Sequence, residues 1–206
     1  MRFSYSRFFA ACRGYFLCLL CLFAAIQSLS IFGQLLSCGN IDSALRKSVA
    51  IDSALVRIRL TQPSDAAELA QLYFALWPDS SVEAHRRELD PLLEGRSPST
   101  LPLINLVAEI SDGHLIGFLQ ASLRSHADGC DPSRPVGFIE GWYVAPEYRR
   151  QGIGRRLLAA AEDWARSIGC LEMASDTQID NHGSQIAHQV LGYEVVDRCV
   201  HFRKRL

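Results

Sequence analysis

One stretch narrows the choice of folds more than any other: Val136 to Leu158, VGFIEGWYVAPEYRRQGIGRRLL. Val136 to Ala145 is rich in β-formers and reads as a strand; Pro146 to Gly152 is a loop. Ile153 to Ile168 follows as a long amphipathic helix. Its apolar face is Ile153, Leu157, Leu158, Ala161, Trp164, Ala165 and Ile168, and its other face carries Arg155, Arg156, Glu162, Asp163 and Arg166. A strand feeding a helix through a glycine turn is the first half of a β-α-β unit. Arg150-Gln151-Gly152-Ile153-Gly154 sets consecutive backbone N–H groups at the helix N-terminus. Gly152 and Gly154 have no Cβ, so an anion can approach the backbone, and the helix dipole favours it there. Arg149, Arg150, Arg155 and Arg156 add positive charge. The turn is built like a diphosphate cradle. It is not a Walker loop, since no Gly-Lys-[Ser/Thr] follows, and Leu157 stands where the dinucleotide fingerprint needs its third glycine. Taken alone, an ordinary glycine-rich β-α turn remains the competing reading.

The neighbouring segments give the rest of the order. Val56-Arg57-Ile58-Arg59-Leu60 alternates as a half-buried strand. Ser64 can cap a helix with Asp65 in its first turn, and Ala66, Leu69, Ala70, Tyr73, Leu76 and Trp77 then recur at helical spacing up to Pro78. A second helix is expected from Val82 to Leu89, stopping before Pro91. Ile104 to Ile110 and Leu115 to Arg124 flank Ser-Asp-Gly-His and read as a hairpin. After the loop Ser125 to Pro135 and the segment above come a strand Cys170 to Ser175, a helix Asn181 to Leu191 stopped by Gly192, and a final strand Tyr193 to Lys204. The order β-α-α-β-β-β-α-β-α-β is mixed α/β, an antiparallel half feeding a β-α-β unit.

The front of the chain, residues 1–55, reads as a separate hydrophobic extension. Arg2, Arg7 and Arg13 precede an uncharged stretch whose centre is YFLCLLCLFAAI, Tyr15 to Ile26. A signal peptide, a membrane span of about 20 residues, a structural helix and a non-native extension all fit it. Leu35-Leu36-Ser37-Cys38 resembles a lipoprotein cleavage box, and Ile41-Asp42-Ser43-Ala44-Leu45 recurs as Ile51 to Leu55, a short tandem duplication. Charge divides at the same place. Residues 1–55 hold five Lys/Arg and two Asp/Glu; residues 56–206 hold sixteen and twenty. A net charge near −1 argues against a nucleic-acid binder. Cys130, Cys170 and Cys199 are widely spaced, with no C-x-x-C, and read as reduced thiols, with Cys170 and Cys199 as small buried hydrophobes; no histidine spacing suggests a metal site.

Arg149-Arg150-Gln151-Gly152-Ile153-Gly154, after a strand ending Tyr143-Val144-Ala145-Pro146, resembles the acetyl-CoA-binding motif of the GNAT superfamily of N-acetyltransferases. A longer series is narrower: Leu76-Trp77-Pro78, Gly129-Cys130-Asp131, Phe138-Ile139-Glu140-Gly141, Glu172 to Thr177 (EMASDT), Asn181, His188 to Tyr193 (HQVLGY) and Phe202-Arg203-Lys204. It is similar to the chromosomal-type aminoglycoside 6'-N-acetyltransferases across residues 56–206.

The resemblance implies a GNAT fold: a mixed central sheet with a splayed strand pair and helices on both faces. It further implies acetyl transfer from acetyl-CoA to the 6'-amine of an aminoglycoside, with no metal, in a cytoplasmic homodimer. Trp77 would line the drug pocket with Ser80 nearby, and Glu140, Asp176 and Asp197 would face substrate amines. Trp142, Tyr143 and Val144 would hold the pantetheine through their backbone, Arg149, Arg150, Gln151, Gly152, Ile153 and Gly154 the diphosphate, and Asn181 the acetyl-CoA from the last helix. His126 stands where similar enzymes can carry an aromatic residue, and Asp197 where a Glu is also found; both bear on drug preference.

The residue chemistry runs parallel. Aminoglycosides are polycations, and an acidic domain attracts them. The amine attacks the thioester directly, with the Val144 N–H stabilising the oxyanion, Glu140 as the base and Asp176 second. Cys130 and Cys170 have no evident base, so no acyl-cysteine is expected. His188 reads as a satisfied buried histidine. Tyr193 can protonate the leaving thiolate or simply pack. Two rival functions stand beside this one: acetylation of another amine (a polyamine, peptide or protein amine), and a membrane-tethered module that binds acyl-CoA or polycations without turnover.

Overall fold

The computed structural model describes residues 55–96 and 101–205. The signal, anchor and duplication readings therefore lie outside the described residues, as do Cys12, Cys18, Cys21 and Cys38. The elements are β1 (Arg57–Leu60), α1 (Ala66–Leu76), α2 (Val82–Leu93), β2 (Leu103–Glu109), β3 (Leu115–Arg124), β4 (Val136–Val144), α3 (Ile153–Ser167), β5 (Met173–Ser175) and α4 (His182–Val190). They build one mixed sheet in the order β1-β2-β3-β4-β5, in which only β4 and β5 run parallel. Among the described residues no helix is long and apolar enough to cross a membrane.

Helices cover both faces, as the GNAT resemblance implied. On one face Ile153, Leu157, Leu158 and Ala161 of α3 pack against Leu106, Ala108, Leu119 and Ile139. On the other, Leu69, Ala70 and Tyr73 of α1 and Leu89 of α2 pack against Val107, Leu115 and Phe118. Adjacent residues such as Leu106 and Val107 serve opposite cores because side chains alternate along a strand. A strand buried on both faces loses its polar half, which is why LINLVAE and LIGFL read as apolar runs.

Two irregularities in β4 place the site. Gln120 pairs with Gly141 and Ala121 with Ile139, so Glu140 is an extra residue, a β-bulge. The bulge switches parity: Ile139, Trp142 and Val144 all pack on the α3 side, while Tyr143 joins the α1 side. Secondly, β4 pairs with β5 only at Gly137–Met173, Phe138–Ala174 and Ile139–Ser175. Beyond Ile139 the parallel ladder ends while β4 continues to Val144.

Several boundaries differ from the sequence reading. Ser64 does not cap α1; it lies in a 3-10 turn, Pro63–Asp65, where Asp65 accepts from the Gln62 N–H and pairs with Arg59 instead. The buried guanidinium outcompetes a solvent-facing cap for that carboxylate. α2 runs through Pro91 to Leu93. Pro91 sits in the last turn, where the Glu94 and Arg96 N–H groups still reach the Asp90 and Pro91 carbonyls, so the missing donor ends nothing. β5 shrinks to Met173–Ser175, because the Cys170 N–H bonds back to Ala165 and closes α3.

The largest correction is at the C-terminal end. No strand forms among residues 193–205, and Val195, Val196, Val200 and Phe202 are exposed, Phe202 at 93%. Alternating β-formers supply strand propensity, but a strand exists only when its backbone finds a partner. Cys199 is likewise exposed rather than buried, whereas Cys170 is buried as expected.

Candidate active site

The turn into α3 has the backbone form expected of it. Arg150 (φ 64) and Gly152 (φ 80) are both left-handed, and Arg150 is the one non-glycine of this kind among the described residues. Gly152 is the N-cap, and no side chain caps the helix. The first intrahelical bond is from the Arg156 N–H to the Gly152 carbonyl, so the N–H groups of Ile153, Gly154 and Arg155 precede the ladder. An uncapped helix start of this kind suits an anion.

The two glycines are glycine for reasons the sequence did not reveal. A Cβ on Gly152 would meet nothing within 4 Å, and the residue is fixed by its positive φ. A Cβ on Gly154 would lie 2.9 Å from the Trp142 indole, so Gly154 lets Trp142 seat against the helix start. Trp142 in turn meets His188 of α4 edge-on at 5.3 Å, and His188 meets Tyr193 at 5.4 Å. The end of β4, the start of α3 and α4 thus converge on one aromatic cluster.

The arginines and Gln151 divide their work. Arg149 Nε donates to the Val144 carbonyl at 2.7 Å and so braces the end of β4. Gln151 Nε2 donates to the Glu147 carbonyl at 3.3 Å, and the Ile153 side chain is core. Arg156 donates to the Val56 carbonyl and ties α3 to the start of the domain. Arg150 and Arg155 are exposed.

Glu140, on the bulge, is the most heavily engaged of the expected carboxylates. Arg124 Nε donates to its Oε1 at 3.0 Å, an Arg124 terminal nitrogen to Oε2 at 2.6 Å, and Ser122 Oγ to Oε1. The Arg124 guanidinium also lies 3.3 Å from the Phe138 ring centroid. Neither Arg124 nor Ser122 was singled out from sequence. They lie two apart on one strand, the spacing that puts both on the same sheet face, the one that carries Phe138 and Glu140, but the loop 125–135 hides the register. Trp77 lies beside Glu140: a Cβ on Gly141 would fall 2.4 Å from the indole. It is half-buried, with Tyr73 at 5.1 Å and Phe118 at 5.9 Å, so it packs on the edge of the core. Asp176 is exposed and directly follows Ser175, the last residue of β5 to pair with β4.

Other expected residues are placed less tightly. Ser80 is half-buried in the α1–α2 turn, three residues past Trp77. His126 is exposed beside Ser125, and Asp197 is exposed in the C-terminal segment, its carboxylate accepting from the Arg198 N–H. That segment crosses the 125–135 loop at Gly129, whose Cβ would strike Val196 at 2.5 Å, so Asp197 and the His126 loop are neighbours. Asn181 caps α4, its Oδ1 accepting from the Ser184 N–H. His188 is only half satisfied: Nδ1 meets the Ser184 carbonyl at 2.8 Å, while Nε2 is buried without a partner. The Tyr193 hydroxyl donates to Glu162 on α3; burial, then the Glu162 charge, pushes the phenol well above its ordinary value. Burial likewise raises the Cys130 and Cys170 thiols, which keeps them protonated and weakly nucleophilic.

The comparisons agree with this geometry. The model of the acetyltransferase (GNAT) family matches residues 66–193. Aminoglycoside N(6')-acetyltransferase type 1 of Klebsiella aerogenes is 41% identical over 149 residues, 72% of this chain and 96% of that protein. The Stenotrophomonas maltophilia enzyme of the same name is 40% identical over 150 residues, 72% and 93%. Among solved structures, AAC(6')-Iy in complex with the bisubstrate analog CoA-S-monomethyl-acetylneamine superposes with TM-score 0.64 at 37% identity, covering 73% of this chain and 99% of that one. AAC(6')-Ih from Acinetobacter baumannii gives 0.65 at 33%, with the same coverage. With the fold, the uncapped turn and the parted strands all in place, the chain belongs to the GNAT acetyltransferase family, in company with relatives named aminoglycoside N(6')-acetyltransferases.

Proposed function

We propose that residues 56–206 transfer the acetyl group of acetyl-CoA to the 6'-amine of aminoglycosides, and so confer resistance to them. The observation that carries this reading is the uncapped, left-handed turn at Arg150–Gly152 opening beside the point where β4 leaves β5. Acetyl-CoA supplies the thioester. The N–H groups from Arg150 to Gly154 hold its diphosphate, with Arg149 bracing the strand and Asn181 orienting α4. The backbone of Trp142, Tyr143 and Val144, free of a parallel partner, receives the pantetheine arm, and the Val144 N–H faces the developing oxyanion.

Glu140 is the anchor and proton acceptor for the amine, directly or through water, with Asp176 as the second carboxylate. Trp77 forms the wall beside Glu140, with Ser80, His126 and Asp197 at the rim of the drug site. The acidic balance of residues 56–206 draws in polycations. A homodimer supplies the pairing that residues 195–204 lack in one chain, where exposed Val195, Val196, Val200 and Phe202 flank a strand-prone backbone. The cosubstrate places the reaction in the cytoplasm. Residues 1–55 form a separate part dispensable for transfer, so a chain starting at residue 56 keeps its activity; an inactive truncation contradicts this.

The test is thiol release from acetyl-CoA with kanamycin, tobramycin, gentamicin and spermidine as acceptors. Turnover of the aminoglycosides well above spermidine supports the reading. Turnover of spermidine alone assigns the same fold to another amine, and tight binding with no thiol release assigns a binding module.

A further inference from the structure

We infer that Arg124 determines specificity by occupying the substrate's cation site: its guanidinium holds Glu140 until an amine bearing several positive charges takes its place. This rests on the amine-acetylation reading only for the identity of the incoming cation. Both Glu140 oxygens are already bonded, to Arg124 through a two-pronged contact and to Ser122. A guanidinium and an ammonium are the same kind of donor to a carboxylate, so the site as it stands is filled by a cation from its own chain. The pair is not sealed: 38% of the Arg124 side chain and 27% of Glu140 are exposed. A displaced guanidinium keeps water and the face of Phe138, against which it already rests. Displacement is therefore cheap for the protein yet unfavourable for a single ammonium, which only exchanges one cation for another. A polycation gains more, because its remaining charges are drawn by the acidic excess of the domain. Arg124 thus filters acceptors by charge number.

The test uses the full chain with R124M and R124K, reading steady-state KM and calorimetric binding of kanamycin and spermine. R124M lowers the kanamycin KM by about tenfold, the worth of one charge-assisted contact, and R124K, which lacks the fork, by less. The KM for acetyl-CoA stays unchanged in both and reports an intact fold. Kanamycin binding to R124M falls more steeply with added salt than in the parent, because the site has gained a net negative charge. In an E140Q background, R124M produces no gain. An unchanged or raised kanamycin KM in R124M, with acetyl-CoA KM intact, overturns the inference; should R124M not fold, R124K decides on the same scale. A parent that is inactive on kanamycin while R124M binds both cations more tightly keeps the role of Arg124 and rejects the aminoglycoside reading. An active parent without that tightening does the reverse.

Discussion

Two guanidinium–carboxylate clusters sit on this sheet, built from the same groups and put to different use. Arg59, on edge strand β1, lies between Asp65 and Glu109, with bonds of 2.6–3.1 Å to both. Its side chain is 10% exposed, and those of Asp65 and Glu109 are 8% and 22% exposed. Arg124 grips Glu140 with similar distances, yet the pair is 38% and 27% exposed. In the first cluster one cation answers two carboxylates and joins β1, β2 and the start of α1. In the second, the pair faces the place where β4 and β5 part. The same pair chemistry is thus closed to water in one place and open to it in the other, and its position in the sheet decides which.

The clusters can be separated by substitution, and the effects should cross. Glu140→Gln keeps the shape and removes the charge. It is expected to lower kcat/KM for aminoglycosides by about 10²-fold, at the low end for a lost general base. Its melting temperature should barely move, because water reaches both partners. Steady-state kinetics and a thermal melt check both halves, and full activity in E140Q removes Glu140 from the chemistry.

Asp65→Asn is the converse. Stability should fall by about 2 kcal/mol, the size of a lost hydrogen bond to a charged group, with kinetics at low temperature unchanged; denaturant titration and thiol release read the two. The pH dependence follows from the same cluster. Burial pushes the Asp65 carboxyl up, but Arg59 and the Gln62 N–H outweigh it and hold it below the ordinary 3.8; Arg59 holds Glu109 below 4.5. Both folded values are depressed, so this stabilisation is complete above about pH 5 and is lost as pH falls through and below those values. D65N should flatten the acid limb of stability between pH 5 and 2.

Gly154→Ala tests the backbone-built turn against both side-chain clusters. Its Cβ forces Trp142 to shift, and the expected result is a rise in acetyl-CoA KM of about tenfold, a misplacement of the sort that costs binding geometry, with aminoglycoside KM untouched. Equal losses for both substrates show that the turn and the amine site are not independent. The smallest effect belongs to Tyr193→Phe: with its hydroxyl on Glu162, kcat should stay within about twofold, since no acid is lost. A large fall in kcat returns Tyr193 to the mechanism.

Much of this could be read before any coordinates. The hairpin turn at Asp112-Gly113, the α3 face and the strand-turn-helix at Val136–Leu158 were legible because each is encoded within a few neighbouring residues by periodicity or turn chemistry. Gly152 is legible as a glycine position, and its positive φ adds a backbone reason that only the coordinates supply. Arg124 was not legible, because its meeting with Glu140 is a matter of register across an eleven-residue loop. Residues 193–205 were misread because strand propensity was taken without asking which backbone would pair with it.

The sequence by itself determined the mixed α/β class, the order of elements through α4, and a helix start shaped for an anion, since local pattern and glycine placement leave few alternatives. Tertiary structure alone decided that β4 bulges at Glu140 and leaves β5 at Ile139, that Trp77 rests on Gly141, and that Glu140 is held by a cation from its own chain. These depend on which strand lies beside which and in what register. That is a property of the packed sheet, fixed by burial on both faces, and no short window of residues contains it.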